Sequence, residues 1–412
     1  MSLNATPSSE RVQIAFFGRR NAGKSSLVNA VTGQELSLVS EVRGTTTDPV
    51  KKAMELLPLG PVVIIDTPGF DDEGELGGLR VQRAVKVLNQ ADLAVLVTDA
   101  PETSGGPDYP AADRELIRLF REKKIPYVIA WTKSDLRERS GEGPDGTEDL
   151  PGDSVIGVSA VTGENLEVLK GKLASLASGE GMPERRLVAD LISPGDLVLL
   201  VIPIDGSAPK ARLILPQQQV IRDILDTGGC FAGCRPEELP EMLGKLKDKP
   251  KLVITDSQAF EQVAQTLPRE ILLTSFSILF ARYKGDLETL TGGAEALKNL
   301  KDTERVLIAE GCTHHRQCDD IGSVKLPAWI RELCGSNPQF AFSSGTGFPA
   351  DLSVYRLIVH CGGCMLNEKE MRRRMELAKA AGVPMVNYGA AIACAKGVLE
   401  RSLEPVLPVE YK

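Results

Sequence analysis

From Gly18 to Ser25 the chain reads Gly-Arg-Arg-Asn-Ala-Gly-Lys-Ser, after the apolar run Val12 to Gly18 and before a helical stretch. This is the spacing GxxxxGK[ST], in the strand-loop-helix setting that a phosphate-binding loop requires. Its glycines let backbone N–H groups close around phosphate oxygens, and the helix amino end adds positive potential. Lys24 reaches the terminal phosphates and Ser25 offers a hydroxyl to magnesium. Such a loop commits the first part of the chain to α/β architecture, a parallel sheet with flanking helices. Further strands are predicted at Ala53 to Leu57, Val62 to Asp66, Leu93 to Asp99, Tyr127 to Thr132 and Val155 to Ser159, and a closing helix at Glu164 to Ser178.

The elements that follow come in the order that GTP binding needs. Asp66-Thr67-Pro68-Gly69 ends a strand as a DxxG element: Asp66 can hold magnesium through water, and the Gly69 amide can bind the γ-phosphate. Thr132-Lys133-Ser134-Asp135 ends another strand as a [NT]KxD element. The Asp135 carboxylate can accept two hydrogen bonds from the guanine edge, a pairing that adenine cannot make, and buried acceptors left unpaired penalise the wrong base. Ser159-Ala160-Val161-Thr162-Gly163 matches the SAxxG loop that backs the base. The nucleotide contacts are therefore expected from Gly18, Asn21, Ala22, Gly23, Lys24, Ser25, Ser26, Thr132, Lys133, Asp135, Ser159 and Ala160.

Gly44-Thr45-Thr46-Thr47-Asp48 lies where the first switch must lie, and it resembles the GTTRD of TrmE-Era-like GTPases. That resemblance points to Thr46 as the threonine that completes the magnesium shell and releases on hydrolysis. The same resemblance gives Asn21 the role of a potassium ligand, the ion acting in place of an arginine finger. Phe70 follows Gly69 where Ras-like GTPases carry the glutamine that orients water, so slow hydrolysis is expected. Thr132 stands where asparagine is commoner, which implies looser clamping of the base loop and modest affinity.

At 412 residues the chain is long enough for two or three domains. A net charge of -8 argues against a broad footprint for nucleic acid or an anionic membrane. Met1 to Glu10 is polar, and no apolar run approaches the roughly 20 residues of a membrane span, so a cytoplasmic protein with reduced thiols is expected. Three domains are expected: a GTPase domain at 1–180 closed by a linker at 178–183, a small α/β domain at 181–270, and a further α/β domain at 271–412. Gly141 to Asp153 reads as a solvated insertion in the first of these. In the second, strands are predicted at Leu197 to Ile204 and Leu252 to Thr255, with helices at Gln217 to Asp226 and Asp256 to Thr266. It shows no catalytic constellation, which suits self-association, and Cys230 and Cys234 read as buried thiols.

Eight cysteines stand against three histidines, and all the histidines fall in the last third. A strand at Arg305 to Ala309 runs into Glu310-Gly311-Cys312-Thr313-His314-His315, and another at Arg356 to His360 runs into Cys361-Gly362-Gly363-Cys364. In parallel α/β sheets ligands bind beyond the carboxyl ends of strands, so the fold can bring the two clusters together. Three cysteines with His314 and His360 nearby leave two metal readings, a closed Cys₃His zinc site and an iron-sulfur cluster with one iron not held by thiolate. Cys318 reads as a weak substitute ligand, Cys334 and Cys394 as packed thiols, Arg372 to Arg374 as a solvated basic face, and Ser343 to Gly347 as a polar loop that lines the cluster pocket.

A TrmE-Era-like GTPase domain followed by Cys-x-His and then His-Cys-x-x-Cys resembles the maturation GTPases of FeFe-hydrogenase, the HydF family, over the whole chain. The resemblance implies a GTPase domain, a dimerisation domain and a cluster-binding domain. It also implies a 4Fe-4S cluster on Cys312, Cys361 and Cys364, with His314 or His360 near or on the fourth iron. A scaffold of this family would take a di-iron precursor built by two radical-SAM maturases to apo FeFe-hydrogenase, as a homodimer using GTP and Mg2+. Two alternatives stand beside it: a TrmE-Era-like GTPase of RNA modification or ribosome assembly with a structural zinc, and a nucleotide-controlled binding protein with a structural metal.

Overall fold

A computed structural model describes residues 10–33, 50–67, 84–103, 106–136, 155–177, 186–204, 213–311, 320–345 and 347–407. The expectations at Thr45, Thr46, Thr47, Gly69, Phe70, Cys312, His314, His315 and Cys318, at the Gly141 to Asp153 loop and at the 178–183 linker lie outside these residues. The chain forms two compact units, Met1–Met182 and Pro183–Lys412.

The first unit is built on β1 (Val12–Gly18), β2 (Val50–Leu56), β3 (Gly60–Asp66), β4 (Leu93–Thr98), β7 (Tyr127–Trp131) and β8 (Val155–Gly157); β5 (Glu102–Thr103) and β6 (Gly106–Pro107) form a separate ribbon. The sheet order is β2-β3-β1-β4-β7-β8. β1 is parallel to β3 and β4, and β7 is parallel to β4 and β8. The edge strand β2 runs antiparallel to β3. Only Leu57, Pro58 and Leu59 join these two strands, and so short a turn cannot make the crossover a parallel pair needs.

Alternation along β1 sorts its side chains onto two faces. Ile14 and Phe16 join a core with Leu27 and Val28 of α1 (Lys24–Thr32) and with Leu169 and Leu173 of α4 (Leu166–Ala177). Ala15 and Phe17 join the opposite core with Leu88 of α2 (84–88) and Phe120 of α3 (Ala111–Glu122). The sheet is thus covered on both sides, and the loops at its strand ends are left to carry polar chemistry.

Among the described residues the second unit holds two four-stranded sheets. β9 (Leu197–Val201), β10 (Cys230–Cys234), β11 (Leu252–Thr255) and β12 (Leu272–Ser275) are ordered β10-β9-β11-β12, all parallel. β13 (Arg305–Ala309), β14 (Gln339–Ser343), β15 (Leu357–His360) and β16 (Met385–Asn387) repeat that order as β14-β13-β15-β16, again all parallel. Because β12 pairs with β11, the first of these sheets runs past the division drawn at residue 270.

The first sheet carries α5 (Leu215–Asp226), α6 (Leu239–Lys245), α7 (Phe260–Thr266) and α8 (Phe276–Lys284). The second carries α9 (Leu287–Gly292), α10 (Ala294–Lys298), α11 (Leu326–Cys334) and α12 (Glu368–Ala380), and the chain closes with α13 (Tyr388–Ala395) and α14 (Leu399–Leu403). Ala393, Leu403 and Val406 from the end of the chain are buried in the core of the first sheet. The Arg401 guanidinium is tied there to the carbonyls of Ala264, Leu267 and Pro268. Among the described residues no helix is long and apolar enough to cross a membrane.

Candidate functional site

The phosphate loop leaves β1 at Gly18, where any Cβ would lie 2.4 Å from the Val97 carbonyl oxygen of β4. Only glycine lets these strands approach so closely. The loop turns through two left-handed residues, Asn21 (φ 66°) and Gly23 (φ 88°), which delivers Lys24 to the start of α1. Lys24 is buried and its ammonium pairs with the Asp66 carboxylate at the end of β3. Ser25 and Ser26 are exposed in the first turn of α1, and Asp135 and Lys133 are exposed just past β7.

Thr132 makes the contact that its departure from asparagine put in question. It is 2% exposed, and its hydroxyl lies 2.7 Å from the Ala22 carbonyl and 3.0 Å from that of Thr98, so it can donate to either. The phosphate loop and the base-reading element are therefore joined by a buried bond. A second tie runs through Asp99, which accepts from Arg19 Nη2 at 2.9 Å and from Lys133 Nζ at 2.7 Å. Ser159 is buried, and its Oγ accepts from the amides of Val161 and Thr162, shaping the base-backing loop around Ala160. Glu164 accepts from Ser134 Oγ at 2.8 Å and links that loop to the Thr132–Asp135 segment. No motif signals Asp99 or Glu164.

In the second unit β13 and β15 are parallel neighbours, with Ala309 opposite His360. The Cys361 amide donates to the Ala309 carbonyl, and the Gly311 amide donates to Cys361 Sγ at 3.0 Å. The Gly363 amide, in a left-handed turn, lies 3.4 Å from the same sulfur. A Cβ on Gly311 would meet Leu366 Cγ at 2.8 Å, so the backbone leading into Cys312 packs directly on the Cys361–Cys364 loop. Sulfur accepting amide N–H bonds suits a thiolate ligand, and the glycines let the backbone approach where a Cβ would clash. These residues fit an iron-sulfur cluster. Among the described residues no three His, Cys, Asp or Glu side chains form a metal-sized group, and Cys312 and His314 lie outside them.

Two charged groups frame the loop. Lys284, at the end of α8 and 3% exposed, reaches the carbonyls of Gly363, Cys364 and Leu366. Burial pushes the Cys364 thiol up, and the Lys284 ammonium pulls it the other way. On the other side Glu310 is buried and accepts from the Tyr388 hydroxyl at 3.3 Å. Burial, with Cys361 and Glu310 nearby, pushes that phenol up.

His360, expected near or on the fourth iron, makes two hydrogen bonds in this structure. Its Nδ1 lies 2.7 Å from the Cys361 carbonyl and its Nε2 lies 3.0 Å from Arg374 Nη1. Arginine can only donate, so Nε2 accepts and Nδ1 carries the proton. Burial, followed by the neighbouring Arg374, lowers the imidazole pKa to about 3. Both ring nitrogens are engaged, and the imidazole is fully buried beside the Phe348 ring. The basic run is corrected: Arg374 is fully buried, bonded to Glu370 and the Gly345 carbonyl, and stacked 4.9 Å from the Phe348 ring. Gly345, in the loop expected to line the cluster pocket, thus holds Arg374. Cys230 is exposed and Cys234 half-buried at the two ends of the edge strand β10, so Cys230 is not the packed thiol expected. Cys394 is buried as expected.

Comparison with known proteins covers both units. Residues 13–133 match the family model of a 50S ribosome-binding GTPase, residues 187–285 that of the hydrogen maturase F dimerization domain, and residues 288–405 that of the hydrogen maturase F tetramerization domain. The tRNA modification GTPase MnmE of Paracidovorax citrulli (strain AAC00-1) is 36% identical over 183 residues, covering 42% of this chain and 38% of that protein. MnmE of Desulfotalea psychrophila is 34% identical over 175 residues, covering 42% of this chain and 36% of the relative. This chain therefore spans well under half the length of these curated relatives. A solved structure of a probable GTP-binding protein engB is 26% identical and covers 40% of this chain and 98% of its own, with a TM-score of 0.32. A GTPase domain followed by two adjoining maturase assembly domains identifies the chain as a member of the hydrogen maturase F family of GTPases.

Proposed function

We propose that this protein is a GTP-hydrolysing scaffold that binds a 4Fe-4S cluster and delivers a di-iron precursor to apo FeFe-hydrogenase. The observation that supports the reading is the bond from the Gly311 amide to Cys361 Sγ, which sets the residue before Cys312 in sequence against the CxxC loop. Cys312, Cys361 and Cys364 would hold the cluster, with His314 as the candidate beside the fourth iron. When bound, a cluster held by three thiolates supplies one iron open to exchange. The chain's own part is to bury the site, donate amides to sulfur and hold the loop rigid.

In the first unit Lys24 and Asp66 neutralise each other, and magnesium-GTP would part them, Lys24 turning to the phosphates and Asp66 to water on the metal. Ser25 and Thr46 would complete the magnesium shell, and the Gly69 amide would meet the γ-phosphate. Turnover is expected to be slow and to rise with potassium held near Asn21; equal turnover in sodium and potassium buffers removes the potassium role. Assembly through residues 181–270, with cluster chemistry in 271–412, fits a homodimer working in the cytoplasm with two radical-SAM maturases. The likeness to MnmE covers 42% of the chain, whereas residues 187–405 fall to the maturase models, which favours hydrogenase maturation over RNA modification. The test is transfer: protein loaded by the two maturases should activate apo FeFe-hydrogenase, and loaded protein that leaves it inactive contradicts the proposal.

A further inference from the structure

Lys284 belongs to neither cysteine segment, nor to the part of the chain that matches the tetramerization model. It ends α8, within the segment matched by the dimerization model, yet its ammonium nitrogen lies 3.3 Å from the carbonyl of Gly363, 3.1 Å from that of Cys364 and 2.9 Å from that of Leu366. Three donors of one cation converge on three carbonyls of a single loop. A second contact comes from the same helix and its approach: Ser277 Oγ accepts from the Gly389 amide at 3.1 Å and lies within reach of Asn387 Nδ2, at the end of β16. The carboxyl ends of the two sheets therefore meet at α8.

We infer that Lys284 is a positioning residue for the cluster, fixing the CxxC loop through its carbonyls and setting a buried positive charge beside the thiolates. The inference rests on the cluster reading above. Burying an ammonium is costly, and the three carbonyls offset part of that cost by accepting its hydrogen bonds. A cluster on three thiolates is anionic and gains a further negative charge on reduction. A fixed cation at this place stabilises the reduced state more than the oxidised one, because the interaction is weakly screened inside the protein. The same three bonds hold Gly363 in its left-handed turn, which aims its amide at Cys361 Sγ.

The test uses full-length protein reconstituted anaerobically with ferrous iron and sulfide, as wild type, Lys284→Met and Lys284→Arg, titrated with redox mediators and followed by electron paramagnetic resonance. At the wild-type midpoint, Lys284→Met should show a reduced-to-oxidised ratio about tenfold lower, a midpoint about 59 mV more negative. Lys284→Arg should stay close to wild type. An unchanged midpoint in Lys284→Met overturns the inference, since a residue that only packs would not move it. If Lys284→Met folds, by circular dichroism and GTP hydrolysis, but takes up no cluster, then uptake by Lys284→Arg supports the role of charge and its failure overturns it. Wild-type protein that binds no iron and sulfide fails the cluster reading itself, and the inference with it.

Discussion

The Gly311 amide donates to Cys361 Sγ across two neighbouring parallel strands, 3.0 Å from nitrogen to sulfur. Two segments fifty residues apart are thereby joined at the carboxyl edge of one sheet, where the strand order turns from β13 outward to β14 on one side and β15 on the other. Ligands of doubly wound sheets collect at such a point.

Replacement of Cys361 or Cys364 by serine should abolish retention of iron and sulfide and leave GTP hydrolysis at the wild-type rate, because these thiols and the phosphate loop lie in different compact units. Iron and acid-labile sulfide assays beside phosphate release decide it. Full retention of both by either variant would remove that cysteine from the ligand set.

Lys24→Ala should lower GTP turnover by about a hundredfold or more, the usual loss when one charge-stabilising group is taken from a reacting phosphate or oxyanion. Cluster uptake should survive. Unchanged turnover would refute the assignment of Gly18 to Ser25 as the catalytic phosphate loop.

Thr132→Val keeps the shape of the side chain and removes the hydroxyl that meets the Ala22 and Thr98 carbonyls. The expected loss is about 1 kcal/mol, or about fivefold in GTP affinity, read by titration calorimetry. Affinity equal to wild type would show that the bond does not hold the loop in its binding shape.

His360→Leu should destabilise the second unit by about 1–3 kcal/mol in denaturant unfolding, because the buried Arg374 Nη1 loses the acceptor His360 Nε2. The cluster's electron paramagnetic resonance spectrum should be unchanged. A changed spectrum with unchanged stability would return His360 to the ligand shell.

Much of the fold was legible where an apolar run ends abruptly at a glycine or a charge. Val12–Gly18, Leu252–Thr255 and Arg305–Ala309 are strands with the bounds their sequences predict. β2 begins earlier than its apolar run, at Val50, because an edge strand tolerates the exposed Lys51 and Lys52. β10, Cys-Phe-Ala-Gly-Cys, is also an edge strand, mostly exposed, and carries no apolar signal. The meeting of the Gly311 and Cys361 strand ends was legible as spacing, but the contacts of His360 were not. His360 is the last residue of β15, and its buried partner Arg374 lies fourteen residues away on α12, a separation no local pattern spans. Lys284, Asp99 and Glu164 act through contacts distant in sequence, which no local pattern records.

The central claim is tested most directly by purifying the protein anaerobically, reconstituting it with iron and sulfide, and measuring iron, acid-labile sulfide and zinc in one sample. The account predicts a brown protein with iron and sulfide in equal amounts and little zinc. A colourless protein holding stoichiometric zinc and no sulfide would contradict it.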